Sequence, residues 1–371
     1  MDMRGTNEMN KKYVTGMAAI ILGASMMLAA CGGNNESNAN GKQEGAGAVK
    51  TESDSGVVNV FTARHYDIDF AMFDEFEKAT GITVNEIKGT AEELVERMKR
   101  EGESTEADLF ITVDGGILNY AKENGVLQPI DSDAILANVP ESLRDTDNQW
   151  VGLATRARVI VYDKELVKPE QLSTYEDLAG EHWKGKVLVR SSSNLYNQSL
   201  VASMIDLNGE AETEKWAQGL VGNFARDPEG GDRDQAKGIA AGVGEVAIMN
   251  TYYIGQMLNS KEAEEVKVAE SVGVFFPNQE TTGTHLNISG IGLAAHAKNK
   301  DNALKLVEYM TSKEGQEMLT NGSFEFPVNK DAELPALLKE WGEFKTQTID
   351  FAKLGENNKA ATALMTKVGW K

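Results

Sequence analysis

A single cysteine, Cys31, stands among 371 residues, which excludes an intramolecular disulfide framework and any zinc site built from paired thiols. Catalytic signatures are missing as well. There is no Gly-x-Ser-x-Gly elbow and no His-Glu-x-x-His helix. The run Gly238-Ile-Ala-Ala-Gly-Val-Gly244 lacks the lysine and hydroxyl of a phosphate-binding loop and reads as a helix end and turn. With no activated group in view, an enzyme is not expected. Positive charge is scarce: 37 Lys and Arg face 57 Asp and Glu, a formal net charge of -20. Such an acidic surface argues against nucleic acid and against anionic substrates steered by bulk charge, while favouring solubility and attraction of cations. No internal repeat is visible.

The chain starts with Lys11-Lys12, an uncharged stretch from Tyr13 to Ala30, and Leu28-Ala-Ala-Cys31 followed by two glycines. A basic start, a short apolar core and small residues before a cleavage point describe a secretory signal over residues 1–30, the apolar core being short for a membrane span. Leu28-Ala-Ala-Cys31 resembles the lipobox of bacterial lipoproteins, which implies that Cys31 is lipidated and becomes the mature N-terminus. Residues 31–56 hold almost nothing apolar to bury and read as a flexible tether. A lipid-anchored extracytoplasmic protein is expected, with a Gram-positive surface the best fit to the lipobox and long tether.

The remaining body, from about Val57 to Lys371, is too long for one small core and suits two lobes. Val57 to Phe61 is rich in β-branched residues and runs into the polar turn Thr62-Ala-Arg-His-Tyr-Asp67. Phe70, Phe73 and Phe76 then recur at helical spacing up to Thr80-Gly81. Strands at 83–87 and 108–113 alternate with helices at 91–100 and 116–124. A second set places strands at 186–190 and 245–249 among helices at 198–208, 212–220 and 233–241. This alternation predicts an α/β fold with mostly parallel sheet and ligands beyond the carboxyl ends of strands. Two long extended runs, Val151 to Tyr162 and Gly290 to Ala295, read as crossings between the lobes, making a hinged cleft. The expected division is 57–152 plus 267–300 for the N-lobe and 153–266 plus 301–371 for the C-lobe.

Three distant segments carry His65-Tyr66, Tyr196 and Tyr252-Tyr253. A small, highly charged cation such as ferric iron selects anionic oxygen, and phenolate supplies it on a rigid ring. Each residue also has a plainer account. A Tyr-Tyr pair at the end of a strand would point its rings to opposite faces, one of them into the core. Tyr196 sits in the polar run Ser191 to Gln198, which helix capping explains equally well, and His65 alone reads as a satisfied loop histidine. Four phenolates on a trivalent ion leave one negative charge, which a buried site tolerates only with a cation nearby, and Arg64 and Arg156 are candidates.

The segment from Arg226 to Tyr253, with Thr62 to Asp67, Thr155 to Tyr162 and Ser191 to Tyr196, resembles the ferric-iron-binding proteins of bacterial ABC importers, and the likeness extends over essentially all of Val57 to Lys371. It is most similar to the branch that holds iron through tyrosines without a synergistic anion. The resemblance implies a two-lobed periplasmic-binding-protein (Venus flytrap) fold with two hinge-crossing strands. It further implies Fe(III) as the transported ligand, with His65, Tyr66, Tyr196, Tyr252 and Tyr253 as its ligands and Arg64, Arg156 and Asn250 around them. The implied partners are an ABC permease and its ATPase, with the membrane reached through the N-terminal lipid and a monomer as the working form. A binding protein for a polyamine, thiamine or an oxyanion on the same scaffold is the competing expectation, and a scaffold lipoprotein whose tyrosines merely pack is a third.

Overall fold

The structure, a computed structural model, describes residues 56–64 and 66–371. The expected signal peptide, Cys31, the tether up to residue 55 and His65 lie outside the described residues. The strands are β1 (Val57–Thr62), β2 (Thr83–Lys88), β3 (Leu109–Thr112), β4 (Leu127–Gln128), β5 (Trp150–Asp163), β6 (Val187–Leu188), β7 (Val246–Asn250), β8 (Val272–Phe275), β9 (Leu286–Ala294) and β10 (Phe326–Pro327). Their main order is β2-β1-β3-β9-β5-β7-β6. The outer pairs β1–β2, β1–β3 and β6–β7 are parallel, as the alternation of strands and helices requires, whereas β9 and β5 run antiparallel to their neighbours through the middle.

Local chemistry explains the first units. The strand β3 is buried along its whole length and reads as a continuous apolar run, whereas β2 lies at an edge and alternates. The helix Asp67–Thr80 stops at Gly81, whose φ of 75° is open to glycine at little cost. Thr90 and Glu93 close a capping box on the helix Ala91–Glu101, satisfying two backbone donors that would otherwise be orphaned.

The hinge is visible in the register of β5. Residues 150–157 pair with β9, and residues 158–163 pair with β7 and β8, so one continuous strand passes from the first lobe into the second. Its partner β9 bonds β3 through residues 290–293 and β5 through residues 286–292. A register shift between Gly152 and Ala154 faces Gly290. A Cβ at Gly290 would stand 2.5 Å from Leu118 Cδ1 and 2.9 Å from Val151 O, so only glycine fits there. The buried Asp114 carboxylate accepts from Ser199 Oγ at 2.5 Å and Asn287 Nδ2 at 2.6 Å, tying both lobes to β9.

Packing departs from the expected lobe boundaries in two places. The helices Lys300–Thr311 and Lys313–Ser323 share a core with Val58, Met72 and Phe76 of the first lobe, and β8 pairs in the second lobe. We propose that 301–328 join the first lobe and 267–285 the second. A sequence pattern marks elements but not which side of a crossing strand they settle on; the apolar faces of these helices and the pairing of β8 support the proposed division.

Candidate metal centre

Each tyrosine is delivered by the start of a helix. Tyr66 lies just before the helix Asp67–Thr80, where Asp69 reaches back to accept from the Tyr66 backbone N–H at 3.1 Å and from Arg64 Nε at 2.9 Å. Tyr196 is the second residue of the helix Leu195–Asn208, not part of a loop as expected, because that helix begins three residues earlier than its apolar pattern suggests. Asn197 Nδ2 donates to the carbonyls of Arg190 and Ser191 and so pins the turn leading into it.

Tyr252 and Tyr253 open the helix Thr251–Leu258 directly after β7. In a continued strand their rings would diverge. A helix start instead swings them onto neighbouring directions, with ring centroids 4.2 Å apart. The structure brings all four together around Tyr252, which is 1% exposed. The Tyr66 ring lies 5.9 Å from it, and the Tyr196 hydroxyl is 3.3 Å from the Tyr252 hydroxyl. Arg64, Arg156 and Asn250 also border the cluster: Arg64 stacks 4.4 Å from the Tyr66 ring, Arg156 lies 5.3 Å from the Tyr196 ring, and Asn250 precedes the tyrosine helix.

Several charged groups were not singled out by the sequence. Arg158, 1% exposed, donates to Asp232 at 2.9 Å, Asn197 at 2.6 Å and Asn250 at 3.2 Å. Arg190 approaches the same Asp232 at 3.6 Å, and both guanidiniums lie within 6 Å of the Tyr196 ring, at 5.9 and 5.7 Å. Glu325, fully buried, binds Arg64 at 2.5 Å and Arg156 at 3.1 Å. Arg158 was findable, since it stands two residues beyond Arg156 on one extended strand and therefore shares its face. Asp232 lies within the segment from Arg226 to Tyr253 that carries the resemblance but was not singled out there, and nothing near Glu325 in sequence marks it.

Burial dominates the acid–base state of the cluster. It pushes the Tyr66 and Tyr252 phenols well above their ordinary value, and the neighbouring tyrosines push further. Burial, then Tyr196 and Asp232, pushes Tyr253 up to about 12. These phenols are therefore neutral at pH 7 unless something replaces their protons. For Arg156 burial alone would favour the neutral form, yet Tyr196 and Glu325 outweigh it and hold the guanidinium charged. Among the described residues no group of three or more His, Cys, Asp or Glu side chains could hold a metal ion. Phenol oxygen is the donor type this cleft presents.

Residues 71–346 match the family described as bacterial extracellular solute-binding proteins. Iron uptake protein A1 of Synechocystis is 43% identical over 96% of both chains. A solved structure of Trichodesmium IdiA (FutA) in complex with iron and citrate ligands has a TM-score of 0.81 at 47% identity, covering 85% of this chain and 100% of the other. The ferric binding protein from Campylobacter jejuni gives 0.80 at 42% identity, with coverage of 85% and 100%. The fold is therefore the two-lobed periplasmic-binding-protein fold.

Proposed function

The chain belongs to the bacterial extracellular solute-binding proteins and is not an enzyme, and we propose that it captures ferric iron between its lobes and delivers it to an ABC permease. Tyr66, Tyr196, Tyr252 and Tyr253 supply phenolate oxygens, with His65, the residue before Tyr66 in the chain, as a further ligand. The observation that carries this reading is the meeting of phenols from both lobes around Tyr252, hydroxyl to hydroxyl at 3.3 Å for Tyr196. The relatives named for iron support it.

Charge matching supports it as well. Ferric iron with four phenolates carries one net negative charge. Around it Arg64 and Arg156 are matched by Asp69 and Glu325, whereas Arg158 and Arg190 share Asp232 alone, leaving one positive charge over. The loaded site is neutral, and a buried neutral site avoids the desolvation penalty of an isolated charge. The compensating cation is thus supplied by the Arg158–Arg190 pair, with Arg64 and Arg156 already neutralised.

Iron binding would join the two walls and favour the closed form, since a ligand shifts such an equilibrium only through contacts it makes in one state. Closure would signal occupancy to the permease and its ATPase, with the protein held outside the cell membrane by a lipid on Cys31. The test is direct. Apoprotein mixed with chelated ferric iron should develop a phenolate charge-transfer colour. A colourless protein whose melting temperature rises instead with a polyamine, thiamine or an oxyanion would overturn the iron reading.

A further inference from the structure

Resting on that iron reading, we propose that Glu325 is a positioning residue of the metal site: its one carboxylate fixes Arg64 against Tyr66 and Arg156 beside Tyr196. The geometry is specific. Oε2 binds Arg64 Nη1 at 2.5 Å and Oε1 binds Arg156 Nη1 at 3.1 Å, so each oxygen takes one guanidinium. Ser289 Oγ on β9 accepts from both Nη1 atoms, at 2.7 and 2.9 Å. Those guanidiniums face rings from opposite walls of the cleft, Arg64 at 4.4 Å from Tyr66 and Arg156 at 5.3 Å from Tyr196.

The turn that carries Glu325 is built to aim it. Phe324, which ends the helix Lys313–Ser323, has a φ of 60°. A non-glycine residue in the left-handed region is strained and persists only where its surroundings hold it. They do so here. The Glu325 N–H donates to Ser323 Oγ at 3.1 Å, and Thr320 Oγ1 donates to the Glu325 carbonyl at 2.5 Å. The same turn leans on the helix of the tyrosine pair. A Cβ placed on Gly255 would come 2.5 Å from Phe324 Cβ, three residues along from Tyr252. Glu325 is therefore seated where the first lobe, both crossing strands and the Tyr252 helix meet, and its charge sets where two cations stand relative to phenolates on both walls.

Glu325→Gln in the full chain tests this. A carboxamide accepts from one guanidinium but turns its NH2 toward the other, freeing one buried cation while keeping the side-chain shape. Ferric charge-transfer spectra and competition with a chelator are the readouts. We expect at least a tenfold change in iron affinity and a displaced absorption maximum. Ser289→Ala, which removes the acceptor shared by both guanidiniums and a donor to Glu325 Oε1 at 3.4 Å but no charge, should move both in the same direction by about threefold in affinity, and it decides the matter if Glu325→Gln does not fold. A lower melting temperature with band and affinity equal to wild type would reduce Glu325 to a structural ion-pair member and overturn the proposal. A wild-type protein with no ferric band would instead overturn the iron reading beneath it.

Discussion

On one wall of the cleft Arg64 and Arg156 meet Asp69 and Glu325, cation for anion, and a single described tyrosine, Tyr66, stands among them. On the other wall Arg158 and Arg190 share Asp232 and lie 5.9 and 5.7 Å from the Tyr196 ring, and Tyr252 and Tyr253 group with Tyr196. The difference separates two tasks. The unbalanced wall can hold anionic oxygen before the lobes close, because Arg190 works against the burial that pushes the Tyr253 phenol up. The balanced wall offers one more oxygen and a rigid frame. Iron should therefore load on the second lobe and be completed by Tyr66 on closure.

The largest effect should come from disarming the unbalanced wall. Tyr252→Phe with Tyr253→Phe should abolish the charge-transfer colour and weaken ferric binding by at least about 10⁴-fold, on the order of 5 kcal/mol. Proton release belongs with this test. Because burial lifts these phenols above their ordinary value, the apoprotein keeps their protons at pH 7 and iron must displace them. Loading should release about four protons per iron, and affinity should fall as pH drops. A pH-stat titration that finds one proton or none would remove phenolate ligation.

Tyr66→Phe should cost less, about 10²-fold in affinity, and keep the colour, since three phenolates remain. If it costs as much as the double substitution, the two walls act as one and the loading order fails. Arg190→Gln should cost about tenfold by removing the surplus charge, with Arg190→Lys restoring most of it. An equal loss from both would point to guanidinium geometry in place of charge.

How far the sequence anticipated this site depends on which physical rule governs each residue. The tyrosines were legible because their residue type is costly to bury without purpose and because their segments end strands. Their delivery by helix starts was not legible. The run Ser191 to Gln198 satisfies a polar loop and a helix entrance equally well, and only the packing of the helix Leu195–Asn208 decides. Both crossing strands were legible as long extended runs, although β9 starts at Leu286, four residues ahead of the predicted Gly290. The balancing charges stayed hidden since Glu325 and Asp232 gain meaning from arginines far away in the chain, at separations of 261 and 169 for Glu325 and 74 for Asp232 with Arg158. Local pattern carries no record of such pairs.

A last test, read on stability and not on iron affinity, asks whether the unbalanced wall also limits acid tolerance. His285 sits where the Arg158 backbone crosses from β9 pairing, its carbonyl accepting from the Arg158 N–H at 2.9 Å. Nδ1 pairs with Gln347 Oε1 at 3.0 Å, and Nε2 is buried without a partner. Burial holds the imidazole down to about 4; Gln347 opposes this, and the charges of Arg158 and Arg156 reinforce it. A histidine held below its ordinary value contributes stability that is present above about pH 6.5 and is lost as pH falls through about 4, on the order of 3 kcal/mol at most. Protonation there would add a further cation beside a wall that already has one too many. Urea unfolding of the apoprotein at pH 7 and at pH 4.5 should therefore show a loss in acid that His285→Gln reduces. Identical pH slopes for wild type and variant would place the acid sensitivity elsewhere and leave the surplus charge of that wall without a stability cost.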